Sequence, residues 1–227
     1  CRPGPDNDSG IGLAINGGHN DEPHNHNDVG SYIVARAKEL PLIDPGAEVY
    51  TSRTFSSRRY ESQVINSFGH PVPRVAGRLQ STGRRAKASV VDHQFGEFED
   101  RLSLDLRSAY DVEELESFVR HFHFRRTGEA KLTVTDEFVF NSPQEFETAL
   151  ITMSPWREVD PGELRVGNPG HEVQVRYHAE PAEAALRLEA TVIKEDLGGE
   201  PLPTRLGLRF EEPIERGKIV VEITPVP

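Results

Sequence analysis

The sequence predicts an all-β fold, a large antiparallel β-sandwich of the multi-layer supersandwich type with few short helices. Two observations carry that prediction. Apolar and polar residues alternate over short runs along nearly the whole chain, while sustained helical periodicity is scarce. Turn formers separate the runs at short intervals, a spacing suited to hairpin-linked strands and not to strand–helix–strand units.

Taken in order, the alternating runs are "IGLAI", "SYIVARA", "KASVVDH", "RLSLDLRS", "FVRHFHFRR", "AKLTVTDEFVF", "EVQVRYHA", "ALRLEATVI", "RLGLRF" and "KIVVEITPV". Between and after them stand "RTGEA", "NSPQ", "DPGE", "GNPGH", "DLGGEP" and "ERGK", each rich in residues that favour turns. Helical turns are expected only over "SRRYESQVINS" and "DVEELESF". In "RHFHFRR" the histidines 121 and 123 alternate with Phe122 and Phe124, so one pair faces the core and the other faces out. Trp156 and Tyr32 are read as core residues.

With 227 residues and 36% hydrophobic content, the chain can build a sizeable core, and residues 1–227 are read as one domain. The formal net charge of −11, from 37 acidic against 26 basic residues, argues against a nucleic-acid or anionic-membrane partner. Local basic runs, "SRRYES" and "GRRAKAS", leave room for an acidic polymer in a cleft. Cys1 is the sole cysteine, which excludes an internal disulfide. No run approaches membrane-spanning length and no signal peptide is visible. The chain begins without Met and reads as an excised part of a longer protein.

The densest chemistry lies in "GGHNDEPHNHNDVGSY", residues 17–32, which holds three histidines, three acidic residues and three asparagines. If the segment is extended, the two-residue period puts His24 and His26 on one face. Two imidazoles in one space suit a divalent metal, or one ligand beside one proton-transfer group. The following strand reverses at "KEL" and returns as "PLIDPG", bringing Asp44 back near the histidines, and "INSFGHPVP" offers His70. Two histidines and one aspartate with an open fourth position make a sound zinc shell. The plainer readings are a solvated loop for the histidines and an Asp-Pro-Gly turn for Asp44.

These blocks also carry a resemblance. "GGHNDEPHNHNDVGSYIV", "PLIDPGAEVYTSRTF", "RRYESQVINSFGHPVP" and "GRLQSTGR" are similar to the C-terminal β-domain of the heparinase II/III-like polysaccharide lyases, densely from about Gly17 to Gly83. The H-x-H, D-x-G and N-S-x-x-H motifs occur in the family's order. The resemblance implies a uronate-polymer lyase acting by β-elimination, with the substrate in a cleft shared with an N-terminal α/α toroid that this chain lacks. It implies His24 as the catalytic histidine and His26, Asp44 and His70 as ligands of a Zn²⁺ ion. It further implies an acidic polysaccharide as partner and a periplasmic or secreted setting (cytoplasmic as the alternative). The oligomeric state is left open by the sequence, with a homo-oligomer through a bare docking face of the sandwich as one option. The family's toroid tyrosine has no counterpart here. Tyr60 in "RRYES" matches the β-domain tyrosine that some alginate-cleaving members use, with Tyr50 the other option. Asp28 and Gly30 belong to the motif and are assigned structural roles, Asp28 bonding loop amides and Gly30 permitting a turn or close approach. The competing reading is a non-catalytic carbohydrate-binding or structural sandwich that keeps the metal for stability alone.

Overall fold

The structure, a computed structural model, describes residues 1 and 10–226. Its strands are β1 (Ile11–Ile15), β2 (His19–Asn20), β3 (Tyr32–Arg36), β4 (Glu39–Leu42), β5 (Arg74–Val75), β6 (Gly83–Lys87), β7 (Ser89–Phe95), β8 (Glu99–Asp105) and β9 (Leu115–Arg125). They continue with β10 (Lys131–Gln144), β11 (Phe146–Thr152), β12 (Trp156–Asp160), β13 (Glu163–Val166), β14 (Val173–Glu180), β15 (Leu186–Val192), β16 (Thr204–Phe210) and β17 (Ile214–Pro225). Helix among the described residues is confined to single 3₁₀ turns at Arg59–Glu61, Ser67–Gly69 and Arg107–Ala109.

An eight-stranded antiparallel sheet, in the order β12-β13-β14-β17-β10-β9-β8-β7, forms one layer. A four-stranded sheet, β15-β16-β11-β5, forms the next, and the small sheets β1-β3-β4 and β2-β6 complete the molecule. The long central pair β9–β10 shows the expected alternation. Phe118, Phe122 and Phe124 point inward, while His121 and His123 lie on the outer face against Glu137 and Glu99. The inner faces of the two main sheets meet over Phe118, Phe138, Phe140, Phe146, Leu206, Leu208 and Phe210, with Phe138 stacked on Phe146 at 3.9 Å between ring centroids.

β11 has no counterpart among the expected strands. Its sequence, FETALIT, does not alternate because both of its faces are covered. Phe146 and Leu150 face the large sheet, whereas Ile151 packs with Ile43, Val64 and Ile193 beneath a layer of loops. A strand buried on both faces loses the two-residue signature. The four-stranded sheet is therefore a middle layer, and the sandwich has more than two layers.

Three other sequence expectations are corrected. "NSPQ" forms the end of β10, where pairing with β17 is interrupted between Val139 and Gln144, and Pro143, without an N–H, falls in that irregular stretch. "ERGK" runs within β17. Gly217 is there for close approach and not for a turn: a Cβ at that position would lie 3.0 Å from the Glu180 carbonyl and 3.2 Å from the Phe210 ring. "DVEELESF" enters β9 at Leu115 instead of forming a helix. Val112, Leu115 and Phe118 mimic a helical stripe but are buried as strand and pre-strand residues.

Two arginines sit in this apolar interior. Arg120 on β9 is opposite Asp136 on β10 in the strand register, and both are buried. Their two-pronged ion pair measures 2.7 and 2.8 Å. The same guanidinium donates to the carbonyls of Gly30 and Pro71 and to the Thr148 hydroxyl. Arg205 on β16 pairs with Glu147 and donates to the carbonyls of Phe68, His70 and Val72. Removing one member of such a pair strands a buried charge. Asp136→Ala is expected to destabilise the fold by about 3–5 kcal/mol, read from urea unfolding, against less than about 1 kcal/mol for Glu61→Ala in the exposed Arg58–Glu61 pair. Equal losses from the two variants would contradict this account.

Candidate functional site

Three chain segments converge over the middle layer. The first is the loop from Asn16 to Ser31 between β1 and β3. The second leaves the β3–β4 hairpin, whose pairing of Val34 with Leu42 returns the chain two residues before Asp44. The third is the 3₁₀ turn that delivers His70. Asn66 caps that turn, its side chain accepting from the Phe68 amide at 2.9 Å. Gly69 is required there, since a Cβ would fall 2.4 Å from the Gln63 carbonyl. Gly30, at φ +86°, is pressed to 2.7 Å from Leu106 by the same measure, which bears out close approach at this position.

His70 is wholly buried. Its Nε2 lies 3.0 Å from the Val64 carbonyl, which can only accept, so that nitrogen carries the proton. Its Nδ1 faces Asp44 Oδ2 at 2.9 Å. Burial disfavours the His70 imidazolium, but the Asp44 carboxylate outweighs burial and its pKa is raised. Burial likewise opposes ionisation of Asp44, yet His70, the Gly46 amide and the Ser31 hydroxyl hold it below the usual carboxylate range. Asp28 is pushed up by burial to about 6. Burial, helped by the charge of His70, pushes His26 down to about 4.

One atom each from Asp28, Asp44 and His70 lies within 4.8 Å of the others, a group that could hold a metal ion. The donor set fits a divalent cation. Two carboxylates share a half-buried space, one of them driven toward neutrality, and a carbonyl fixes the tautomer of the imidazole. His26 lies beside the group, its ring 5.2 Å from that of His70 and tilted by 44°. Asp28, assigned above to bonding loop amides, is thus the residue that sequence reasoning undervalued. Its position two residues after His26 was the available signal.

His24 is exposed at the rim, with a left-handed backbone at φ +59°. The expectation of an extended His24–His26 segment is corrected. The Asn25 amide bonds the Glu22 carbonyl at 3.0 Å and closes a turn. The two imidazoles nevertheless share two cavities, because the loop folds back on itself. One, of about 250 Å³, is lined also by His19, Glu22 and Asp28. The other, of about 30 Å³, is lined also by Tyr50, Phe55 and Arg59. The Tyr60 hydroxyl instead donates to the side chain of Asn25, the residue between the two histidines, at 3.3 Å.

A carboxyl whose pKa rises from 3.8 to about 6 on folding binds more protons folded than unfolded between those values, so it costs stability above pH 6 and nothing below pH 3.8. In chelator-treated protein, Asp28→Asn is expected to stabilise the fold at pH 7 by up to about 3 kcal/mol. The gain should fade as pH falls below about 6, and affinity for divalent ions should drop. Paired thermal melts across that range test this, and a gain that persists unchanged in acid would contradict it.

The sequence matches no family model and no curated protein. Solved structures do match its fold. A heparinase III described as the BT4657 gene product superposes with TM-score 0.75 at 11% identity, over 94% of this chain and 32% of that one. Heparan sulfate lyase HepC from Pedobacter heparinus gives 0.73 at 14% identity over the same shares, and a further heparinase III gives 0.70 at 14%, over 89% and 30%. This chain therefore spans about a third of the length of those proteins, and it shares its fold with that third of heparinase III, the resemblance its histidine motifs carry.

Proposed function

We propose that this chain is the β-sandwich part of a polysaccharide lyase of the heparinase II/III-like kind, which cleaves a uronic-acid-containing polymer by β-elimination. The observation that carries the reading is His24. It is an exposed imidazole on left-handed backbone, lining a cleft that Asp28 of the Asp28–Asp44–His70 group also lines, on a fold shared with heparinase III. Unfavourable backbone in a non-glycine residue concentrates at functional sites.

In β-elimination a base removes the proton at C5 of the uronate. The electron pair of the C5–H bond becomes the C4–C5 double bond, and the C4–O bond breaks. The departing oxygen takes a proton. The C5 proton is weakly acidic, so charge developing on the uronate carboxylate must be met by donors or cations. His24 is suited to meet that charge or to take the proton, since an imidazole can donate or accept a hydrogen bond and a proton. Tyr60, tied to Asn25 between the two histidines, is the proposed phenolic partner, and Tyr50 on the cavity wall is the other phenol within the site. The remainder of the cleft would come from a second domain.

Asp44 and His70 would hold a divalent ion, Zn²⁺ by the softness of imidazole donors, with His26 and Asp28 as the neighbouring donors. A bound ion would supply positive charge to the crowded carboxylates, and Asp28, Asp44 and His70 would hold it from the three loops. The residues of this chain then hold His24 at the rim of a fixed pocket.

The test is an absorbance assay for unsaturated product, using the full-length protein on heparin, heparan sulfate, alginate and chondroitin. His24→Ala is expected to lower turnover about a hundredfold or more while leaving bound metal unchanged. His70→Ala is expected to lose both metal and thermal stability. Tyr60→Phe should lower turnover further than Tyr50→Phe does. Metal binding without cleavage of any uronate polymer would favour the non-catalytic, metal-stabilised sandwich.

A further inference from the structure

Three arginines crowd the segment from Arg53 to Arg59, and they differ in their partners. Arg53 is engaged by Glu48 and by Glu195. Arg58 pairs with Glu61. Arg59 has no carboxylate within ion-pair distance among the described residues. One of its Nη atoms donates to the carbonyl of Asn25, the residue between the two histidines, at 2.7 Å. Its Nε is buried with no hydrogen-bond partner. A half-buried guanidinium whose partners among the described residues are the Asn25 carbonyl and the Tyr60 ring, 5.3 Å away, and no carboxylate, offers a positive charge that a ligand anion would balance.

The surroundings define the ligand further. The cavity shared by Arg59, His24 and His26 measures about 30 Å³. At roughly 10–15 Å³ per water-sized probe, it admits a group of a few atoms and not a sugar ring. Its outer wall is Tyr50 and Phe55, 55% and 70% exposed, whose rings meet edge to face at 5.3 Å between centroids. An exposed aromatic pair at the lip of a charged slot offers a flat apolar ledge outside and a cation inside.

We propose that this slot binds the carboxylate of a uronic acid residue, with Arg59 as the charge that recognises it and the Tyr50–Phe55 pair as the ledge that receives the sugar ring. Arg59 is in this scheme a specificity-determining residue, placed one wall away from His24. The inference rests on the uronate-polymer reading above for the class of sugar, and on the unpaired guanidinium, the slot volume and the aromatic pair for the site.

The test is calorimetric titration of the full-length protein with an unsulfated glucuronate-containing tetrasaccharide and with the same sugar after reduction of its carboxylates to alcohols. The native protein is expected to bind the acid form about tenfold more tightly than the reduced form, the scale of one charge-assisted hydrogen-bonded contact. Arg59→Gln should abolish that ratio with an unchanged melting curve, and Arg59→Lys should retain part of it. Phe55→Ala should weaken both sugars alike. If Arg59→Gln preserves the ratio, the role of Arg59 is wrong and the uronate reading stands. If the native protein shows no preference for the acid form, the uronate reading falls with it. If sulfating the reduced sugar restores the same Arg59-dependent gain, the slot reads sulfate and the carboxylate assignment is overturned.

Discussion

Two buried guanidinium groups tie the loops of the candidate site to the sheets. Arg120 and Arg205 each satisfy one carboxylate within the sandwich and spend their remaining donors on loop carbonyls, those of Gly30 and Pro71 in one case and of Phe68, His70 and Val72 in the other. Irregular loops have few ways to satisfy buried carbonyls, because they lack a ladder to bond with. A guanidinium supplies several donors in a fixed plane and never deprotonates, so it can serve several carbonyls from different strands of chain at once. The cost of burying each charge is offset by Asp136 and Glu147, both themselves buried. The loops that carry Asp28 and His70 are thus fastened to the two main sheets.

That anchoring explains how a site made of turns can hold unfavourable electrostatics. Asp28 and Asp44 crowd a half-buried space, and His26 is pressed toward neutrality beside His70. In a mobile loop these groups would separate into solvent. Here the backbone between them is fixed at several points. The Asn27 amide is held by the Ile65 carbonyl, the Ile43 amide by the Ile151 carbonyl, and the Val29 carbonyl by the Gln80 side chain. The site keeps its charges close because the layer below leaves the loops no slack.

Much of the fold was legible because burial on one face writes a two-residue period into a strand. β1 and β14 could be read almost to their ends for that reason. β11 could not, since both faces are covered, and the exposed edge β12 had no apolar face to show. The candidate site was legible as a set of residue types, His24, His26, Asp44 and His70, carried by motifs whose order resembles a known family. Their arrangement was not. The His24–His26 segment turns where alternation suggested extension, and Asp28 joins the carboxylate group although its letter alone fits a loop-bonding role. Arg120 and Asp136 had left a trace, each a charge at an inward position of an otherwise apolar alternation, but the adjacent histidines drew the reading away.

The sequence by itself determined the alternation that makes sheets, the glycines that close approach demands at Gly30 and Gly69, and the chemical kinds of group near the site. The alternation and the residue kinds are local properties, and Gly69 answers to a carbonyl six residues earlier, whereas the partner that Gly30 approaches, Leu106, is brought there by the fold. Only the tertiary structure decided which carboxylates face His70, that Arg59 has no ion-pair partner among the described residues while Arg53 and Arg58 do, and that the four-stranded sheet lies in the middle. Those outcomes depend on contacts between residues tens of positions apart in the chain, such as Arg120 with Gly30 and Arg205 with Phe68. No local pattern records such pairings, because their energy exists only once the layers have met.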